Sequence, residues 1–200
     1  MSVWNYLILA TIVIVIILFL IEVSPQQFLK KVNQKAEELI KKSESEILSD
    51  EKFIISLISK NKNGTLIVNN NKLKTELAIS EEEQRKGFMN REKCNDCAIL
   101  FMYERKEKIG FWMKNVSFDL LLLAVEPVEL NISNLKNSTT ILFEVKNIGL
   151  MARCNQINNS FCPIYTFDEP YSFYIEIPYQ ENKYDLKTIK KNTYLIFSNN

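Results

Sequence analysis

Ala98-Ile99-Leu100-Phe101-Met102-Tyr103, Phe111-Trp112-Met113-Lys114-Asn115 and Asp119-Leu120-Leu121-Leu122-Leu123-Ala124-Val125 are three short apolar runs set apart by charged or polar turns. Runs of this length, rich in aliphatic and aromatic side chains, read as strands. The pattern continues on both sides. Thr65 to Val68 and Lys72 to Ile79 flank an Asn69-Asn70-Asn71 turn, and Thr140 to Lys146, Ser172 to Ile177 and Tyr194 to Ser198 follow. Many short strands with turn signals between them predict a mostly β fold, a compact sandwich or barrel-like domain with one short helix. That helix opens on the capping box Ser80-Glu81-Glu82-Glu83 and stops near Gly87. Residues 50–62 fit either a short helix or a strand.

Composition removes several functions. Lys and Arg number 25 against 24 Asp and Glu, a net charge of +1, so a strongly basic nucleic-acid binder is not indicated. The glycines stand alone at Gly64, Gly87, Gly110 and Gly149, which leaves no dinucleotide or phosphate loop. The chain has no histidine, which removes Ser-His-Asp, Cys-His and H-E-x-x-H chemistry together. No catalytic residue, metal ligand set or cofactor is assigned from the sequence.

The first charge is Glu22, and Val3 to Ile21 is almost wholly apolar. A bilayer core needs about 20 such residues as a helix, with every backbone group satisfied inside the segment. Trp4 and Tyr6 sit at one end, where headgroups favour amphipathic rings. A cleavable signal would need a basic start and small residues before the cut, and both are missing. Residues 3–21 are therefore expected to anchor the chain in lipid as a single pass.

Ser24-Pro25-Gln26-Gln27 starts a second helix, with apolar residues at Phe28, Val32, Ala36, Leu39, Ile40 and Ile47 forming a stripe. The expected organisation is an anchor over 1–23, an amphipathic helical stalk or linker over 24–60, and a β-rich domain over 61–200.

Glu76-Leu77-Ala78-Ile79-Ser80, Glu83-Gln84-Arg85-Lys86-Gly87-Phe88-Met89, Ala98-Ile99-Leu100-Phe101-Met102 and Phe111-Trp112-Met113-Lys114-Asn115 occur in that order. This ordered set resembles the DUF192 family (domain of unknown function 192) across about residues 65–198. Cys162-Pro163-Ile164-Tyr165 and Tyr174-Ile175-Glu176-Ile177-Pro178 resemble its C-terminal half. The resemblance implies a compact, mostly β fold and an exported or membrane-anchored setting, and it carries no reaction with it. The chain departs from the family pattern after Asn115. Val116-Ser117-Phe118-Asp119 replaces a Pro-Leu-Asp turn, so that Asp119 falls two residues early, on the same face of a strand as the usual acid. Tyr179-Gln180 replaces an expected glycine, and residues 129–139 read as an inserted polar loop.

Trp112, Lys114 and Asp119 are the candidate ligand-binding residues. In an alternating strand Trp112 and Lys114 share one face, and Phe111, Met113 and Asn115 share the other. An aromatic wall beside an ammonium suits an anionic, glycan or protein ligand. The plainer reading makes Phe111 and Met113 core and Lys114 a solvated charge. Asp168, Glu169 and Glu176 lie near one another in sequence. Paired acids serve glycan hydrolysis, but isolated acids are mostly surface charge.

Cys94-Asn95-Asp96-Cys97 is a C-x-x-C, and Cys154 and Cys162 form a looser pair. Zinc, a thiol-redox pair at Cys94 and Cys97, free thiols and structural disulfides are all compatible with four thiols. Disulfides are preferred, pairing Cys94 with Cys97 and Cys154 with Cys162, with crossed connectivities left open. Lys30, Lys31, Lys35, Lys41 and Lys42 after the anchor favour an inward domain. The paired cysteines, and N-x-S/T sequons at Asn63, Asn115, Asn131, Asn137 and Asn158, favour the outside, although Asn115 lies inside the family motif and is not expected to carry a glycan. An extracytoplasmic domain is chosen. The functional expectation is a membrane-tethered binding or accessory module at the cell envelope. The alternatives are a glycan hydrolase working through carboxylates, or a thiol-redox protein.

Overall fold

The computed structural model describes residues 50–133, 138–154 and 162–199, together with Lys30 and residues 33–35. The chain divides into two compact units, Met1–Ser45 and Glu46–Asn200. Of the first unit, Lys30 and residues 33–35 are helical. The expected anchor over 3–21 and, of the expected stalk, residues 24–29, 31–32 and 36–49 lie outside the described residues. Among the described residues no helix is long and apolar enough to cross a membrane.

The second unit is a closed barrel of seven strands with a two-stranded sheet beside it. Its elements in chain order are α1 (Glu51–Ile58), β1 (Asn63–Val68), β2 (Asn71–Ala78), α2 (Glu81–Lys86), β3 (Cys97–Glu107), β4 (Phe111–Trp112), β5 (Leu120–Ser133), β6 (Ser138–Met151), β7 (Ile164–Tyr165), β8 (Tyr171–Pro178) and β9 (Tyr194–Asn199). Around the barrel the order is β1-β2-β3-β8-β5-β6-β9, and β9 pairs with β1 to close it. The β2–β3 pair is parallel and all other neighbours are antiparallel. Closure leaves no open sheet edge.

Strand alternation explains two hydrophobic layers. Leu100 and Met102 of β3, Leu121, Leu123 and Val125 of β5, and Phe173, Ile175 and Ile177 of β8 fill the interior. Their neighbours Ile99, Phe101, Leu120, Leu122, Ala124 and Tyr174 belong to a second buried cluster on the other face. Strands covered on both faces read as unbroken apolar runs, which is why Leu120 to Val125 shows no alternation. The cover comes from the segment between α2 and β5, through Phe88, Phe111, Met113, Val116 and Phe118.

Local signals set the connections. Asn69 and Asn70 have φ of 48° and 64° and turn β1 into β2, where Val68 faces Asn71. Ser80 and Glu83 form the expected reciprocal capping box of α2. The Gln84 amide donates to the carbonyls of Met102 and Ile79 at 2.8 and 3.0 Å, which pins α2 to β3.

Three expectations change. Residues 51–58, grouped with the stalk in the sequence reading, form α1. They place Ile54, Ile55 and Ile58 in the barrel core, and Asn199 Nδ2 donates to the carbonyl of Ile58 at 2.8 Å. Among the described residues of the second unit there are two short helices rather than one. Residues 129–139 are not wholly an inserted loop: Glu129–Ser133 and Ser138–Thr139 are the far arms of the β5–β6 hairpin. A register shift between Pro127 and Glu129 breaks the alternation and conceals the strand in the sequence.

Candidate functional site

The second layer does not seal completely. A cavity of about 430 Å³ opens between α2, β3 and β4. Five rings stand in its walls: Phe88 follows α2, Phe101 and Tyr103 come from β3, and Phe111 and Trp112 form β4. Phe101 and Phe111 meet edge to face, with ring centroids 5.2 Å apart. Arg85 and Lys86, in the last turn of α2, contribute the charged side.

Glu176 also lines this cavity. Alternation along β8 forces it there, because Ile175 and Ile177 take the barrel interior. Its strand neighbours in register are Ile99 of β3 and Leu122 of β5, both apolar. Glu176 is 5% exposed, and its Oε2 is buried with no hydrogen-bond partner among the described residues. Burial in this apolar setting pushes its carboxyl up to about 8, opposed by the Arg91 guanidinium. Arg91 is itself engaged, with Nη1 2.6 Å from Oε1 of Glu76. The carboxyl is therefore largely protonated at neutral pH and offers a donor and an acceptor to the cavity. Burial also raises the Tyr103 hydroxyl, with Tyr174 and Glu176 adding to the shift.

The residues chosen from sequence are placed as follows. Phe111 and Met113 are buried, and Trp112 is 47% exposed at the cavity wall. Lys114 Nζ stands 5.0 Å from the centroid of the Trp112 ring, a cation–π pair. The two are together as expected, although β4 ends at Trp112 and the chain turns at Asn115, with φ of 54°. Asp119 stands apart from the cavity wall. Its Oδ1 accepts from the Arg153 backbone N–H at 2.8 Å, and its carbonyl accepts from Tyr179 N–H at 2.9 Å.

Glu176 was read among acids presumed to be surface charge, and the structure corrects that. Asp168 and Glu169 are exposed, and Glu169 accepts from the Tyr171 hydroxyl at 2.7 Å. The signal available in the sequence was a lone acid inside the apolar run Phe173 to Pro178. In the sequence Gly87 reads as a helix stop and as family motif, and Phe101 and Tyr103 read as strand. Cys94 pairs with Cys97 and Cys154 with Cys162, the preferred connectivity. The first bridge borders a second cavity of about 510 Å³ between β2 and the segment before β3. Among the described residues no cluster of three or more acids and cysteines is placed to hold a metal.

The model of the DUF192 family, described as an uncharacterized ACR, matches residues 64–128 and supports the DUF192 family for this chain. The matched span contains α2, β3 and β4, and so all of the cavity lining except Glu176. No curated protein matches the chain. Among solved structures, one from Sinorhizobium meliloti 1021, described as a proposed transcription regulator, is 18% identical with a TM-score of 0.46. It covers 66% of this chain and 90% of its own. A protein of unknown function from Novosphingobium aromaticivorans DSM 12444 is 21% identical with a TM-score of 0.39. It covers 58% of this chain and 71% of its own.

Proposed function

We propose that this protein is a membrane-tethered binding module whose ligand enters the cavity between α2, β3 and β4 and engages Glu176. The observation that carries the reading is the Oε2 of Glu176: a buried acceptor without a partner among the described residues, at the wall of a cavity that five rings line. Buried polar atoms are nearly always paired, and an orphan at a cavity wall suits a site whose partner arrives with the ligand. Trp112 lines the cavity with Lys114 over its ring, and this pair makes the first contact. Residues 3–21 hold the module to the bilayer, with the β domain on the outer side, as the two cysteine pairs favour.

The test of the site is a small-molecule fragment screen on the full chain, read by amide chemical shifts. Binders that move Gly87, Phe101 and Trp112 support the reading, and a library that moves none of them overturns it. The tether is tested by high-speed centrifugation of detergent-free lysate. The full chain is expected in the membrane pellet, and a soluble full chain would remove that part of the reading.

A hydrolase is the second reading, favoured by the protonated state of Glu176, which is what a general acid needs. Its second carboxylate would be Glu81, the other acid lining the cavity. Glycan turnover abolished by both Glu176→Gln and Glu81→Gln would select it.

A further inference from the structure

We propose that the Glu176 cavity takes a small organic ammonium carrying an anionic group a few atoms away, with the ammonium inside against Glu176 and the anion at the mouth beside Arg85 and Lys86. This rests on the binding reading above and names its ligand class.

Three observations point to it. First, five rings line the cavity that Glu176 lines: Phe88, Phe101, Tyr103, Phe111 and Trp112. The face of an aromatic ring is electron-rich, and several rings around one point make a cage for an ammonium. Second, Glu176 Oε2 has no hydrogen-bond partner among the described residues. A hydrocarbon ligand would leave the carboxyl in an apolar setting, whereas an ammonium supplies the opposite charge, which favours its ionised form. Third, Arg85 and Lys86 are exposed and line the same cavity from the last turn of α2. They repel a bare cation at the mouth and attract an anion, so a ligand with both charges in the order described fits the field. The volume of about 430 Å³ is that of a small-molecule site.

The charge state adds a signature. The charged and titratable groups that share the cavity with Glu176 or act on its carboxyl are Tyr103 from β3, Arg91 from the segment after α2, and Glu81, Arg85 and Lys86 from α2. With the cavity empty the carboxyl holds its proton. An entering ammonium stabilises the carboxylate, so the proton leaves to solvent as the ion pair forms.

The experiment uses the full chain in phosphatidylglycerol nanodiscs, titrated calorimetrically with phosphocholine, choline and the neutral isostere 3,3-dimethylbutanol. Phosphocholine is expected to bind tightest, with choline at least about tenfold tighter than the isostere. Near pH 6.5, titrations in buffers of different ionisation enthalpy should reveal proton release. Glu176→Gln should remove that release and weaken both cations by about tenfold or more. Arg85→Glu with Lys86→Glu, both exposed, should weaken phosphocholine and spare choline. Repetition in phosphatidylcholine nanodiscs separates two sources of the same chemistry. Lost phosphocholine binding there identifies a lipid headgroup as the occupant, and undiminished binding identifies a soluble molecule. Equal binding of choline and the isostere, with shifts at Gly87 and Phe101, overturns the ammonium class and leaves the cavity reading standing. If neither these probes nor the fragment library moves those residues, both readings fall.

Discussion

Gly87 leaves the room that Glu176 occupies. A β-carbon at position 87 would stand 3.3 Å from Glu176 Oε2 and 3.5 Å from Cζ of Phe101. The glycine also has φ of +41°, a backbone state that L side chains rarely adopt. It ends α2 and lets the chain turn against the buried carboxyl, so one residue serves both the helix stop and the cavity floor.

Gly87→Ala is expected to lower stability by about 1–3 kcal/mol, from backbone strain and crowding together. Denaturant unfolding measures the loss. The same variant should reduce fragment binding in the cavity. Unchanged stability would show that position 87 relaxes freely and that the contact with Glu176 is loose.

Glu176 predicts a pH dependence of the fold. Its carboxyl is raised from 4.5 to about 8 by burial, so the folded protein binds the proton more tightly than the unfolded chain. The associated stability is fully present below the unfolded value and is lost as pH rises through about 8. Across that window the fall is on the order of 5 kcal/mol at most, by the conversion of pKa shift to free energy. Unfolding midpoints measured from pH 5 to 9 should show the decline. In Glu176→Gln it should be largely flattened, because the amide has the shape of the acid without its ionisation.

Asn199 joins the last strand to the first helix. Its Nδ2 donates to the Ile58 carbonyl at 2.8 Å, and its Oδ1 accepts from Thr139 N–H at 3.1 Å. The side chain is buried, so Asn199→Ala leaves two backbone groups without their partner. A loss of about 1–3 kcal/mol is expected. Hydrogen exchange should quicken in α1 and at the start of β6 before it does in β5 or β8.

Reduction of the two disulfides should destabilise the unit without unfolding it, since the barrel core does not depend on them. The Cys154–Cys162 bridge closes the longer loop, at a sequence separation of 8 against 3. Loop-closure entropy then gives it about 2.5 kcal/mol, against about 1.6 for Cys94–Cys97. Thermal melts of Cys154→Ser/Cys162→Ser and Cys94→Ser/Cys97→Ser double variants test the order. A larger drop for the second pair would mean that packing beside the disulfide, not chain entropy, dominates.

Much of the site was visible in outline and wrongly weighted. The Phe111-Trp112-Met113-Lys114 alternation predicts that Phe111 and Met113 are buried and that Trp112 and Lys114 are less so. It carried through because a strand's period of two holds even for a two-residue strand and the turn beside it. Asp119 was grouped with them on strand parity alone. The turn at Asn115 breaks that parity, and the carboxylate is taken by the Arg153 backbone instead. Glu176 was discounted because acids are usually exposed, a rule with no knowledge of which strands are covered twice.

By itself the sequence determined the β character, the capping box of α2, the Asn69-Asn70 turn and the long apolar start. Each of these is a local matter of propensity, periodicity or hydropathy within a few neighbouring residues. Tertiary structure alone decided that β2 and β3 run parallel, that β9 closes on β1, and that α1 belongs to the barrel. It also decided that Glu176 lies under Gly87 among aromatic rings. Those facts join residues up to 141 positions apart, as from Ile58 to Asn199. Burial of a side chain depends on which distant segment covers it, and no local pattern records that.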